Sequence, residues 1–237
     1  MIALQPAPAS VPPGRRIYAI GDIHGFADRL FALHQAIAAD LTARPIAAPL
    51  LLHLGDYVDR GPDSAAVVAR LAAGPPLPGI QTVNLMGNHE RTMLDALAGQ
   101  GAAATDWMIA GGREARASWG GDPDAPRSTL PAHIPPAHLD FLHHLALRHA
   151  EGGYLFVHAG IRPGIALQDQ AASDLLSIRA SFLHSEADFG AVIVHGHTPH
   201  KTPVIRPNRI GLDTGAVFGG ALTCAVLEGQ TIGFLQS

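Results

Sequence analysis

Leu52 to Pro62 reads LHLGDYVDRGP, and the fold turns on what this stretch does. An apolar run of strand type meets Gly55, and Asp56, Asp59 and Arg60 follow at once. A strand that ends in Gly-Asp delivers a carboxylate to the carboxyl edge of a sheet, where open α/β folds bind ligands. Alone, such a turn would be an ordinary solvated corner. The same grammar recurs, however: IYAIGDIHG (Ile17 to Gly25) carries Asp22 and His24, and VNLMGNHE (Val83 to Glu90) carries Asn88 and His89. YLFVHAG (Tyr154 to Gly160) ends on His158, and VIVHGHT (Val192 to Thr198) on His195 and His197. Five apolar strands, each ending in metal-competent or titratable side chains, predict a binuclear metal site.

The composition fits that reading. A chain of 237 residues accommodates one large α/β domain or two small ones with a full core. Hydrophobic residues make up 47% and charged residues only 15%, as in a soluble globular protein. A net charge of −4 and a pI near 6.4 leave no basic footprint for nucleic acid or for a membrane surface. The lone Cys224, in ALTCAVLEG, excludes an intramolecular disulfide and a cysteine zinc site, and reads as a small core residue. Residues 1–15 have no apolar core of signal type and several prolines, so they read as a disordered or extended leader. No apolar run reaches the ~18 residues of a membrane span, and the expected location is the cytoplasm.

From residue 16 to 237 the expectation is a single domain. Strands at 17–20, 50–54 and 81–85 alternate with helices at 26–39, 64–73 and 90–98, where Phe26, Leu30, Leu33, Ile37, Val67, Val68 and Leu71 fall at helical spacing. This β-α-β-α-β-α opening implies a largely parallel sheet covered by helices. Residues 99–136, rich in Gly and Pro with Trp107 and Trp119 as large anchors, read as a short helix and loops capping the site. An amphipathic helix follows over 136–147, then strands at 154–157 and 191–194. The last four strands, at 204–205, 209–212, 221–227 and 231–235, look like an antiparallel meander.

The chemistry assigns roles. Two cations ~3.5–4 Å apart need a shared ligand, and a carboxylate bridges best because its charge offsets their repulsion. Asp56 is the bridge; Asp22 and His24 serve one metal, and Asn88, His158 and His197 the other. Such an oxygen and nitrogen set suits manganese first, with iron, zinc or cobalt as alternatives. Two cations sharing a water lower its pKa and supply hydroxide as nucleophile. His89 stands ready to protonate a leaving oxygen, Asp59 to orient its ring, and Arg60 to offer paired donors to phosphate. Arg179, charged within the apolar LLSIRASFL, completes a clamp.

In this order GDIHG, GDYVDRGP, GNHE, HAG and GHT resemble the calcineurin-like metallophosphoesterases. More narrowly they resemble the phosphoprotein phosphatase family in its small bacterial and phage lambda-type branch. The likeness runs from Arg16 to Glu228 and extends to DWMIAGG, SIRASFL, GHTPHKTPV and GLDTGAVFGGALTC. It implies an α/β fold of four αββα layers, in which two packed mixed sheets are flanked by helices. It also implies a two-metal centre and direct attack on phosphorus without a phosphoenzyme. By the same match Asp22, His24, Asp56, Asn88, His158 and His197 are metal ligands, and Asp59, Arg60, His89 and Arg179 are catalytic and phosphate-binding positions. Many phosphodiesterases of the wider family carry Gly-His-x-His, whereas Pro199 stands at the last position here. His195 is assigned a structural role, His200 the surface, and the remaining histidines no ligand role.

The expected activity is therefore a metal-dependent phosphomonoesterase acting on phosphoserine or phosphothreonine in proteins, and on small phosphate esters. The rival is a symmetrical dinucleoside-tetraphosphate hydrolase, whose GD-x-HG, HAG and closing LDTG segments this chain shares. Those proteins usually alter the DRG element that is intact here. A phosphodiesterase is disfavoured by Pro199 and the paired arginines. A binding module would predict gaps in the ligand set, and the sequence has none.

Overall fold

The computed structural model describes residues 2–123 and 133–237. The chain begins with β1 (Gln5–Pro6), β2 (Arg15–Ile20), α1 (Ala27–Ala43), β3 (Ala48–His53), α2 (Ser64–Ala72), β4 (Gln81–Asn84) and α3 (Asn88–Leu97). Then come α4 (Ala103–Trp107), α5 (Arg113–Ser118), α6 (Pro136–His143), β5 (Arg148–Glu151) and β6 (Tyr154–Val157). The remainder is α7 (Ala172–Ser177), α8 (Ala180–Leu183), β7 (Val192–His195), β8 (Val204–Arg206), β9 (Arg209–Gly211), β10 (Thr223–Glu228) and β11 (Thr231–Gln236).

The strands form two mixed sheets, a six-stranded one in the order β1-β11-β10-β2-β3-β4 and a five-stranded one in the order β5-β6-β7-β9-β8. Within the first, β2, β3 and β4 are parallel, as the alternating opening requires. Period-two alternation sorts the side chains. Ile17, Ala19, Leu50, Leu52 and Leu54 face Tyr154, Phe156, Val192, Val194 and Ile210 of the second sheet. Tyr18, Ile20 and Leu51 turn the other way, onto Leu30, Leu33 and Ile37 of α1 and Val67, Val68 and Leu71 of α2. Leu155, Val157 and Ile193, on the outer face of the second sheet, are covered by Leu175 of α7 and Phe182 of α8. The result is a four-layer αββα sandwich.

Four expectations need correction. The leader is extended rather than disordered: β1 pairs with β11, and Val11 is buried with its amide on Gly229 O at 2.8 Å. The closing strands are not one meander. β8 and β9 make a hairpin at the edge of the second sheet, after which residues 212–222 cross to the first sheet, where β10 inserts between β2 and β11. The 136–147 helix stops at His143 because Ala146 leaves to exchange hydrogen bonds with Asn84 O and Met86 N (3.1 and 2.8 Å), which leads into the unforeseen β5. Finally, residues 103–118 are helical rather than looped, with a π turn broken at Gly111 (φ 114°). Residues 124–132 of the expected cap lie outside the described residues.

Phe156 is wholly buried between the sheets, whereas Ile109 is 81% exposed. Phe156→Ala should cost about 3–5 kcal/mol and Ile109→Ala less than about 0.5 kcal/mol, read from urea unfolding midpoints.

Candidate metal centre

The carboxyl ends of β2, β3, β4, β6 and β7 open at one edge of the sandwich, and the turns that leave them carry the polar residues singled out above. The backbone there is strained. Among the described residues the non-glycine positions with positive φ are His24 (45°), Asp56 (52°), Asp59 (73°), Arg60 (66°) and His197 (65°). Side chains rarely adopt such angles, and they persist where surrounding contacts over-determine them. The glycines that precede Asp22, Asp56, Asn88 and His197 have a steric reason as well. A Cβ on Gly87 would collide with Asp56 Oδ1 and its backbone nitrogen, and one on Gly196 with Asp22 Oδ1. The turns therefore touch backbone against side chain.

Asp56 is central. Its Oδ1 lies 3.3 Å from His158 Nε2, and its Oδ2 lies 3.6 Å from His24 Nε2 and 4.0 Å from His89 Nε2. Two groups of donors share it: His24, Asp56 and His89 in one, and Asp56, His158 and His197 in the other. The second rings are aimed by carbonyls. His24 Nδ1 donates to Val58 O and His158 Nδ1 to Leu54 O, both at 2.9 Å, which leaves each Nε2 lone pair facing the centre. Asn88 Oδ1 lies 3.0 Å from His158 Nε2. The Asp22 carboxylate, in neither group, accepts the His197 N–H at 3.0–3.1 Å.

Electrostatics follow from crowding. Burial works against ionisation of Asp56, but the imidazoles of His158, His89, His24 and His197 outweigh it and hold its carboxyl below the usual range. Burial, then Asp213 and Asp56, push Asp22 well above the usual range. Burial lowers His24 to about 4 and His197 to about 3, so both imidazoles are neutral at pH 7; the Nε2 lone pair of His197 is unpartnered, whereas that of His24 faces Arg60 Nη1. Neutral imidazoles and ionised carboxylates are the forms that ligate cations. The centre also passes a test of fit for metals: His197 Nε2 is buried and has no hydrogen-bond partner, an exposed need that a cation would meet.

Beside the donors His89 Nδ1 donates to Asp59 Oδ2 at 2.7 Å, and Trp107 Nε1 donates to Asp59 Oδ1 at 2.8 Å. Burial opposes the charged form of His89, yet the carboxylates of Asp56 and Asp59 raise its pKa above the usual value. Arg60 is exposed, with Nη1 3.1 Å from His24 Nε2 and Nε on Ala110 O. Arg179 stays at the rim, 3.3 Å from Thr198 Oγ1. His195 points away, its ring edge-on to Phe182 at 5.1 Å.

Residues 15–227 match the calcineurin-like phosphoesterase family model. The chain belongs to that family. A serine/threonine-protein phosphatase 1 of Salmonella typhimurium is 28% identical over 90% of this chain and 93% of its own. A symmetrical bis(5'-nucleosyl)-tetraphosphatase of Ralstonia nicotianae is 28% identical over 92% of this chain and 89% of its own. A crystal structure described as a candidate diadenosine tetraphosphatase superposes with a TM-score of 0.66 at 21% identity, covering 97% of this chain and 98% of that one. This phosphoesterase is accordingly a phosphate-ester hydrolase.

Two contributors went unread in the sequence. Glu90, wholly buried, accepts the N–H groups of Asp56, Tyr57, Val58 and Gly87 at 2.7–3.1 Å and so clamps the turn after β3 to the start of α3. Its place at the third position of α3 lets its carboxylate reach back to the N–H of the Gly87 N-cap, the half of a capping box that glycine allows. Asp213 is carried to the centre by the crossover between sheets, and its Oδ1 accepts Gly215 N–H at 2.9 Å.

Removing the acceptor that four N–H groups share should be severe. Glu90→Ala is expected to lose roughly 3 kcal/mol of stability, and Glu90→Gln less, because orphaned buried donors cost more than a weakened bond. Urea unfolding checks the stability. Elemental analysis of the purified variants should show metal falling in the same order.

Proposed function

We propose that this phosphoesterase is a phosphomonoesterase with two divalent cations, manganese foremost, and that it acts on phosphoserine and phosphothreonine in proteins. The observation that carries this reading is the buried contact of His89 Nδ1 with Asp59 Oδ2 at 2.7 Å. It preserves the element that the symmetrical tetraphosphate hydrolases usually alter. The relation to a serine/threonine-protein phosphatase over nearly the full length supports it.

Asp22, His24, Asp56, Asn88, His158 and His197 would hold the cations, with Asp56 as the shared ligand. Bound there, they supply Lewis acidity toward water and toward the phosphoryl oxygens. Arg60 and Arg179 bind and orient the phosphate dianion from the rim through paired N–H donors. Asp59 fixes the tautomer of His89 by accepting from Nδ1, so the acidic proton resides on Nε2, the atom that faces the centre. Trp107 pins the other oxygen of Asp59 and keeps that axis from rotating. His89 then protonates the leaving oxygen, a role typically worth 10²–10⁴-fold.

A second reading, hydrolysis of dinucleoside tetraphosphates, is favoured by the Ralstonia nicotianae relative. Rates on a phosphothreonine peptide, diadenosine tetraphosphate and an aryl phosphodiester, with manganese, rank the alternatives. Turnover of the dinucleotide with inertness toward the peptide would overturn the first reading.

Asp56→Asn should lose both metal, by elemental analysis, and nearly all turnover. His89→Asn should retain metal while kcat on an alkyl phosphate falls by about 10²–10⁴-fold, and less on an aryl phosphate whose leaving group needs no proton. Near-normal kcat on the alkyl phosphate would remove His89 from the acid role.

A further inference from the structure

The π turn Met108–Gly112, between α4 and α5, lies against Asp59 and Arg60 but gives no side chain to the centre. Its support is firm. Trp107, the last residue of α4, is wholly buried, and Ser118 at the end of α5 accepts the Ala65 N–H of α2 at 3.0 Å. The turn meets Arg60 twice: Gly111 O accepts the Arg60 N–H at 3.1 Å, and Ala110 O accepts its Nε–H at 3.3 Å. Arg60 has φ 66°, an angle that persists only where neighbouring contacts hold it, and the Gly111 carbonyl is one such contact.

Only glycine fits at this contact. Gly111 has φ 114° and ψ 15°, which breaks the helix there, and a Cβ on it would lie 2.6 Å from Arg60 N and 2.7 Å from Arg60 Cγ. Gly112 answers a different neighbour, since a Cβ on it would lie 2.8 Å from the Trp107 indole. The two glycines of DWMIAGG therefore clear separate partners, one at Arg60 and one at the tryptophan that holds Asp59. The hold also sets a direction. With Nε on Ala110 O, the guanidinium stands with Nη1 3.1 Å from His24 Nε2, and Nη2 makes no hydrogen bond among the described residues. Arg179 differs: it is exposed, and its guanidinium has one contact, with Thr198 Oγ1 at 3.3 Å. Ordering a long side chain costs entropy on binding, and anchoring it beforehand removes part of that cost.

We infer that Gly111 is a positioning residue for phosphate binding: through the π turn it sets the Arg60 guanidinium at the mouth of the centre before a ligand arrives. This rests on the phosphate role given to Arg60 above and adds the residue that prepares it. Asp59 and His89 are braced by Trp107 instead. Phosphate binding and proton transfer thus depend on separate parts of one segment.

The test titrates inorganic phosphate into the manganese-loaded protein by calorimetry, for Gly111→Ala, Gly111→Asn, Arg60→Ala and the unaltered chain. Asn accepts positive φ more readily than Ala, so it separates the collision with Arg60 from backbone strain. Both Gly111 variants should weaken phosphate roughly tenfold, as Arg60→Ala does, the scale of one lost hydrogen bond to a charged group. Added to Arg60→Ala, either should weaken it by less than about twofold more, because changes that act through one contact are not additive. Trp107→Phe should show the opposite split, with kcat on an alkyl phosphate reduced and phosphate affinity within about twofold of the parent. Ile109→Ala, in the same turn, should match the parent in both. Unchanged phosphate affinity in the Gly111 variants while Arg60→Ala weakens it overturns the inference, and so does a full further loss on the Arg60→Ala background. Affinity unchanged in Arg60→Ala itself removes the phosphate role of Arg60 and the inference with it. The titration needs no turnover, so either failure is distinct from failure of the catalytic reading. Should neither Gly111 variant fold, by circular dichroism, the Arg60 Nε–H resonance of the parent decides, assigned by its loss in Arg60→Ala. Slow exchange with solvent supports the hold, and exchange as fast as that of the exposed Arg206 overturns it.

Discussion

The structure is governed by the gathering of carboxylates at one edge of the sandwich. Asp22, Asp56, Asp59, Glu90 and Asp213 are each less than 10% exposed, and an isolated buried carboxylate costs several kcal/mol even after relaxation. Each must find compensation nearby. Glu90 finds it in backbone N–H groups, Asp59 in an indole and an imidazole, Asp22 in the amide of His197, and Asp56 in a ring of histidines. Asp22 retains the least, with one N–H shared by both oxygens and two acids close enough to push its pKa up. The residual charge is what makes divalent cations the natural complement of this edge, before any catalytic need is considered.

That constraint also explains how much of the centre was legible in the sequence. A ligand must sit at the end of a strand on a tight turn, and tight turns against a neighbouring loop require glycine. GD, GN and GH after apolar runs are therefore the direct imprint of steric contacts such as Gly87 against Asp56. Four such imprints, with His158 at the end of a fifth apolar run, located the edge. What sequence could not convey was contact between turns distant along the chain. Glu90 was read as an ordinary helix residue because its partners Asp56, Tyr57 and Val58 lie more than thirty positions away. Asp213 escaped because the strands around it were taken for one meander, which gave no reason for the chain to pass the centre. The parallel core was readable, since β-α-β order allows few alternatives. The pairing of β10 with β2 was not, because antiparallel insertion leaves no periodic mark distinguishing it from a hairpin.

The two sheets matter differently to chemistry and stability. Asp22, Asp56 and Asn88 follow strands of the first sheet, whereas His158 and His197 follow strands of the second. The centre is thus a seam, and its geometry depends on the relative height of two sheets joined mainly by non-directional apolar packing. Directional bonds across the seam at the centre include His158 Nδ1 to Leu54 O, and His197 N–H to Asp22. Both involve a proposed ligand and the turn of a ligand on the opposite sheet. These contacts between the sheets also aim the donors, so sliding one sheet would misplace donors from both sides at once. Cations bound across such a seam would stabilise the folded chain by mass action, because the unfolded chain cannot present these donors together. Stability and chemistry at this edge are then two readings of one interaction.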